Sequence, residues 1–247
     1  MKRFSASLAA LLIGIAMSHP ARADGVKTPK LHVQTRAGEL RVALTLDACM
    51  GQTDGRILHT LIDHRIKATI FATARWIRNN PDAVAQLNAH PDLFRVENHG
   101  ANHYAAVFNP GRVFGVRTVG DAAGLRAEVL NGAAAVESAT GRKPEWFRGA
   151  TAEYSGAALQ EISGLGEKVA GFSVLGDGGA MFSAAYTAKT IAKAHDGDVI
   201  IAHINQPRKP AGSGVVEGIL ALEAKGYGFV WLDGAQPQAS HARTAHR

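Results

Sequence analysis

Short apolar runs, each ending in a polar group and each followed by a helical pattern, set the tightest limit on what this chain can fold into. Arg41 to Leu46 ends in Asp47, Leu93 to Val96 leads into His99, and Trp146-Phe147 ends in Arg148. Val169 to Leu175 leads to Asp177, and Val199 to Ala202 ends in His203. Ala68 to Ala72 and Tyr227 to Leu232 bring the strand-like runs to seven. Between them Gly55 to Ile66, Asp82 to His90, Asp121 to Thr140, Tyr154 to Leu165, Ala185 to His195 and Val216 to Lys225 carry apolar residues at three-and-four spacing, six helices in all. Strictly alternating strands and helices argue for parallel strands with right-handed crossovers. The expected fold is α/β, a barrel of parallel strands. In such a barrel chemistry collects at the carboxyl ends of the strands, where all five polar groups are placed.

Glu97-Asn98-His99-Gly100-Ala101-Asn102-His103 puts two imidazoles four residues apart just past an apolar run. Neutral imidazole is a good ligand for zinc and its neighbours, and a catalytic site uses about three protein ligands with one position open. A His-x-x-x-His pair also arises by chance, and with eleven histidines in the chain a solvated or capping pair is the competing reading. The other strand-end groups tip the balance. A carboxylate ending a buried strand, as at Asp47, carries a desolvation cost that a helix cap rarely warrants. Arg148 also fits a structural ion pair, and the competing readings of His203 and of Asp177, between Gly176 and Gly178, are a satisfied core histidine and a turn residue. His59, His64 and His195 fall in helical patterns and are read as surface groups.

These residues carry a resemblance. Thr45-Leu46-Asp47-Ala48 is similar to the Thr-Phe-Asp-Asp motif of the polysaccharide deacetylases of the NodB-homology type, carbohydrate esterase family 4. Asn98-His99-Gly100-Ala101-Asn102-His103 resembles their Asn-His-(Ser/Thr)-x-x-His motif, Phe147-Arg148 the start of Phe-Arg-x-Pro-Tyr, and Ile201-Ala202-His203 the late apolar-x-His motif. The resemblance spans about residues 40 to 233 and implies an α/β fold, a distorted (β/α)7 TIM-like barrel in a single domain. It implies Asp47 as catalytic base, Arg148 as the group steadying it, His203 as the acid and Asp177 as its orienting partner. His99 and His103 would be ligands of a divalent metal ion, zinc by preference, in a hydrolase acting on a non-peptide carbon–nitrogen bond. The implied reaction is removal of N-acetyl groups from a carbohydrate polymer such as peptidoglycan.

Departures from the pattern qualify the site. The family's third metal ligand stands where this chain has Ala48, Gly100 replaces the usual Ser or Thr, and Gly149-Ala150-Thr151 follows Arg148 in place of the Pro-Tyr sequence. Asp47 turned onto the metal or a water would complete the shell; otherwise the site binds metal poorly. Two other functions therefore stay open: a glycan-binding protein of the same fold without catalysis, and a metal amidohydrolase acting on a non-carbohydrate amide. The single cysteine, Cys49, is read as a small buried hydrophobe rather than a nucleophile, since a free thiol is usually that.

Met1 to Ala23 has the charged start, apolar middle and Ala-x-Ala end of a secretory signal peptide cleaved after Ala23, with an apolar stretch too short for a stable anchor. A secreted or periplasmic location is expected. Its removal takes away Lys2, Arg3 and Arg22 and no acids, lowering the formal charge from +6 to +3. That mild excess, with no basic run and only 6% aromatics, excludes an extended nucleic-acid platform. Residues 24–38 read as a polar leader forming a loosely attached arm, 39–234 as the barrel, and 235–247 as a disordered tail. The long loop Asn109 to Gly120 lies on the catalytic rim. It is expected to offer Phe108, Arg112, Phe114 and Arg117 to substrate, or equally to be a surface excursion packed by Phe114.

Overall fold

Every pairing in the main sheet of the computed structural model, which describes residues 25–237, is parallel. The strands are β1 (Arg41–Ala48), β2 (Ala68–Ala72), β3 (Phe94–Asn98), β4 (Trp146–Phe147), β5 (Lys168–Val169), β6 (Val174–Leu175), β7 (Val199–His203) and β8 (Gly228–Val230). Helices α1 (Gly55–Asp63), α2 (Ala74–Asn79), α3 (Pro81–Ala89), α4 (Ala122–Thr140), α5 (Gly156–Gly164), α6 (Ala184–Ile191) and α7 (Ala211–Ala224) form the outer layer. The distorted (β/α)7 barrel is as expected. Residues 1–24, which include the expected signal peptide, and residues 238–247 lie outside the described residues. None of the described helices is long and apolar enough to cross a membrane.

Side-chain alternation sorts each strand into two faces. In β1, Val42, Leu44, Leu46 and Ala48 are all fully buried against Ile57 and Leu61 of α1, with Ile219 and Leu222 of α7 in the same cluster. The odd-numbered Ala43, Thr45 and Asp47 face the barrel interior, where Ala43 packs with Phe71, Ile201, Phe172 and Leu31. Fully burying a leucine of the outer layer contributes about 1.5–3 kcal/mol, so the helix-facing register is strongly fixed.

The sheet order is β5-β4-β3-β2-β1-β7-β6, with β8 beside the start of β1. Its two ends are consecutive strands. The expected strand Val169 to Leu175 is thus two strands: its first half pairs with β4 and its second with β7, and the four residues between them cross the seam of the barrel. Gly171 sits at the break because the backbone of Pro29 lies against it; a Cβ there would stand 2.2 Å from the Pro29 carbonyl oxygen. That oxygen accepts a 3.3 Å hydrogen bond from Phe172 N.

The leader is therefore no loose arm. Lys27 and Tyr154 exchange backbone hydrogen bonds of 2.8 and 3.0 Å, Val33 N donates to Gly197 O, and Leu31 and Val33 are buried inside the barrel's closed end. Leu31–His32 also pairs with Gln236–Pro237, the last described residues. Helix α2 was not anticipated. It spans six residues, too few to show a full apolar period, and is set by Thr73 Oγ1 accepting from Trp76 N, while Pro81 opens α3.

Gly171→Ala is expected to lower stability by about 1–3 kcal/mol through overpacking against Pro29. Urea unfolding measures it; an unchanged midpoint would mean that the leader yields freely at the seam.

Candidate active site

Asp47 and His203 end neighbouring strands and are register partners, so a base and an acid candidate lie side by side at the carboxyl end of the sheet. Arg148, just past β4, has 0% exposed surface. Four hydrogen bonds hold its guanidinium: Nη1 donates to Asp47 Oδ1 at 2.8 Å and Thr45 Oγ1 at 2.9 Å, Nη2 to Gly171 O at 3.1 Å, and Nε to Ala170 O at 3.3 Å. The last two acceptors are carbonyls freed by the break between β5 and β6. His203 is held by Asp177, which accepts from His203 N at 2.7 Å and lies 3.0 Å from its Nδ1. Asp177 also receives Gly179 N at 3.2 Å, so the turn-residue reading and the partner reading both hold.

His99 is buried, and its Nδ1 lies 2.6 Å from the backbone oxygen of Arg148. A carbonyl only accepts, so Nδ1 carries the proton and the lone pair sits on Nε2, facing the site. His103 has φ +65°, a left-handed conformation unusual for a non-glycine residue. Glu128 of α4 imposes it. Its buried carboxylate accepts from Asn102 N at 2.8 Å and Tyr104 N at 3.1 Å, pinning the backbone on both sides of His103. Gly100 has the same cause: its φ is +85°, and a Cβ would lie 2.4 Å from Glu128 Oε1. The hydroxyl residue of the family motif has no room here. Asn98, facing α4, ties this turn to β3 by accepting from Gly100 N at 2.8 Å and donating to Glu167 at 3.0 Å.

The cysteine corrects the sequence reading. Cys49 is buried, yet its thiol belongs to the site: Sγ lies 3.4 Å from His99 Nε2, and the donor atoms of Cys49, His99 and His103 all fall within 4.8 Å of one another. This is the group of potential metal donors found among the described residues. Asp47 is not part of it, with Oδ2 3.8 Å from His99 Nε2 and Oδ1 on Arg148. Ala48 is no gap in the site, because its side chain points outward into the helix-packed core. One sulfur and two imidazole nitrogens converging from one side suit a borderline-soft divalent ion, so the donor chemistry fits the metal that the motif implies.

Charge is balanced across the cluster. Burial pushes the Asp47 carboxyl up, but the charges of Arg148, His99 and His203 outweigh it and hold the group below its ordinary value. Burial pushes the His203 imidazolium down, but Asp177 and Cys49 outweigh it and hold it well above. Burial likewise raises the Cys49 thiol, and the three imidazoles bring it well below the usual thiol value.

Beside these groups opens a cleft of about 820 Å³ whose floor includes Asp47, Cys49, His103 and His203 and whose walls include Met50, Phe114, Phe172, Leu175, Met181 and Phe182. Of the four rim residues expected to meet substrate, Phe114 lines the cleft and is 84% exposed. The loop is a small hairpin, Arg112–Val113 paired with Val116–Arg117. Arg112 bonds Gly115 O within it, Arg117 lies over the Tyr104 ring, and Phe108 packs against the cluster around Phe147.

The model of the polysaccharide deacetylases matches residues 34–170, more than half of the 247. The chain belongs to the polysaccharide deacetylase family. Solved structures of that kind share its fold. A family 4 carbohydrate-esterase pseudoenzyme from Bacillus anthracis aligns at TM-score 0.60 and 20% identity over 78% of this chain and 64% of its own, so this chain spans just under two thirds of it. A family 4 carbohydrate esterase from Streptomyces lividans, in complex with acetate, aligns at 0.62 and 20% identity over 78% and 93%. The family 4 carbohydrate esterase PdaA of Bacillus subtilis aligns at 0.62 and 22% over 83% and 82%. No curated protein sequence matches.

Glu167, which braces Asn98, carries a pH signature. Burial is the main cause that raises its carboxyl from 4.5 to about 7. The folded protein keeps a proton that the unfolded chain releases, so stability is lost as pH rises through that window. Glu167→Gln removes the titration while keeping an acceptor for Asn98. It is expected to gain on the order of 1–3 kcal/mol on wild type at pH 8 and little near pH 4.5. Urea midpoints at the two pH values measure this, and an equal difference at both would overturn it.

Proposed function

We propose that this protein is an exported, metal-dependent hydrolase that removes N-acetyl groups from a glycan such as peptidoglycan or a β-linked N-acetylglucosamine polymer. The observation that carries the reading is the pairing of an arginine-held carboxylate with a carboxylate-held imidazole across neighbouring strand ends, both opening on one cleft with His103. A divalent ion bound beside that pair would polarise the acetyl oxygen and lower the pKa of a water.

The remaining work falls to named side chains. Arg148 occupies Asp47 Oδ1 and keeps the carboxylate ionised, leaving Oδ2 free to take a proton from water. Asp177 holds His203 Nδ1, which directs Nε2 outward as the atom that protonates the leaving nitrogen. An amine leaves slowly without that proton. A base held low and an acid held high are in their working forms at the same neutral pH. Family membership does not decide activity, since one relative of this fold is a pseudoenzyme and a mutant of it has restored activity. Retention of Asp47, Arg148, His203 and Asp177 in contact favours catalysis here over glycan binding alone.

One feature favours a second substrate class. The apolar walls of the cleft would suit a less polar amide than a sugar chain, and a metal amidohydrolase would use the same groups. Acetate release from acetylated chitooligosaccharides and peptidoglycan, set against small aryl acetamides, separates the two. Release from glycans is expected; turnover of the small amides alone would overturn the glycan reading.

Asp47→Asn and His203→Ala are each expected to cut acetate release by about 10²–10⁴-fold with bound metal retained, and His99→Ala to lose the metal itself. Full turnover by His203→Ala would remove it as the acid. Export is expected to yield a mature protein beginning at Asp24, which N-terminal sequencing of the extracytoplasmic fraction checks; an intact Met1 there would overturn it.

A further inference from the structure

We infer that Cys49 supplies the third metal ligand as a thiolate, giving a His2Cys shell that selects zinc or cobalt over magnesium, calcium and manganese and leaves Asp47 outside the shell as a base. The inference rests on the metal-dependent reading of the site but not on the identity of the substrate.

Four observations carry it. Alternation along β1 and the residue after it brings Asp47 and Cys49 to the same side, while Ala48 faces the helices and is fully buried there. No side chain at 48 reaches the site without unmaking the outer core. Second, the 3.4 Å between Cys49 Sγ and His99 Nε2 is close to the edge of a tetrahedron about a zinc ion: bonds of about 2.3 Å to sulfur and about 2.0 Å to nitrogen put the two donors about 3.5 Å apart. Third, both donors are aimed. His99 Nδ1 is committed to the Arg148 carbonyl, which leaves Nε2 for the metal, and Thr73 Oγ1 holds the Cys49 carbonyl in place. Fourth, the neighbouring carboxylate is held aside, because Arg148 binds Asp47 Oδ1 and Asp47 is not among the side chains whose donor atoms converge.

A thiolate changes which ion the site prefers. Magnesium, calcium and manganese favour carboxylate, carbonyl and water oxygens, whereas sulfur and imidazole favour zinc and cobalt. The anionic charge lost at position 48 is restored one residue later by a softer atom.

Cobalt substitution tests this without any turnover. Metal-free wild-type protein titrated with Co²⁺ is expected to develop the intense near-ultraviolet thiolate-to-cobalt charge-transfer band together with weaker visible bands of a tetrahedral ion. Cys49→Ser, nearly isosteric, is expected to lose the near-ultraviolet band and to bind zinc about 100-fold or more weakly. Cys49→Asp is expected to bind without the band and to lose discrimination between zinc and manganese. Circular dichroism confirms that each variant is folded. Tight cobalt binding by wild type without the band, unchanged zinc affinity in Cys49→Ser, or no metal binding by wild type would each overturn the inference. A thiolate band in a protein that releases no acetate would leave the ligand assignment standing and defeat the deacetylase reading instead.

Discussion

A guanidinium with no exposed surface is the constraint on which the rest of the site depends. Burying Arg148 costs several kcal/mol of hydration, which the Asp47 carboxylate, the Thr45 hydroxyl and two backbone carbonyls offset. Thr45 and Asp47 come from the middle of the sheet; the carbonyls of Ala170 and Gly171 come from the seam. Its own carbonyl sets the tautomer of His99. One residue thus fixes the ionisation of the candidate base, the aim of a candidate ligand and the position of the barrel's break. Removing one partner of such a pair costs about 3–5 kcal/mol, so each of these elements resists drift in the others.

Much of this was legible in the chain. Strand-end polar groups follow from alternating patterns, and Asp47, His99, His103, Arg148, Asp177 and His203 do meet at one end of the barrel. What escaped was decided by geometry that composition does not carry. Cys49 was read by what free cysteines usually do, although its i, i+2 relation to Asp47 already placed it on the inner face. The seam was hidden because Val169 to Leu175 looks like one strand; only Gly171 hinted at the break. The leader's Leu31-His32-Val33 alternation was a buried-strand signal too short to weigh against its polar neighbours.

Two departures from the family motif turn out to be compensated rather than lost. At Gly100 a hydroxyl gives way to a carboxylate from another element: Glu128 fills the space and grips the turn through Asn102 and Tyr104, holding His103 in its left-handed backbone. At Ala48 the side chain offered to the histidine pair is instead the Cys49 thiol, one residue along and on the inner face. In both places the chemistry has been relocated across a short distance, and reading a motif by position alone mistakes relocation for absence. Glu128 also shows that a residue on a helix with no motif of its own can set the geometry of a ligand loop.

The seam ties the charged site to the amino end of the chain. Its outer lining is Pro29 and its neighbours, near the amino end, while its inner lining is Gly171, so the contact that closes the barrel joins parts of the chain far apart in sequence. The same two residues, Ala170 and Gly171, give their carbonyls to the buried arginine, so the packing that closes the barrel and the hydrogen bonds that hold the charged site share one short segment. A change in how the amino end lies on the seam is thereby carried to the guanidinium at the centre of the barrel.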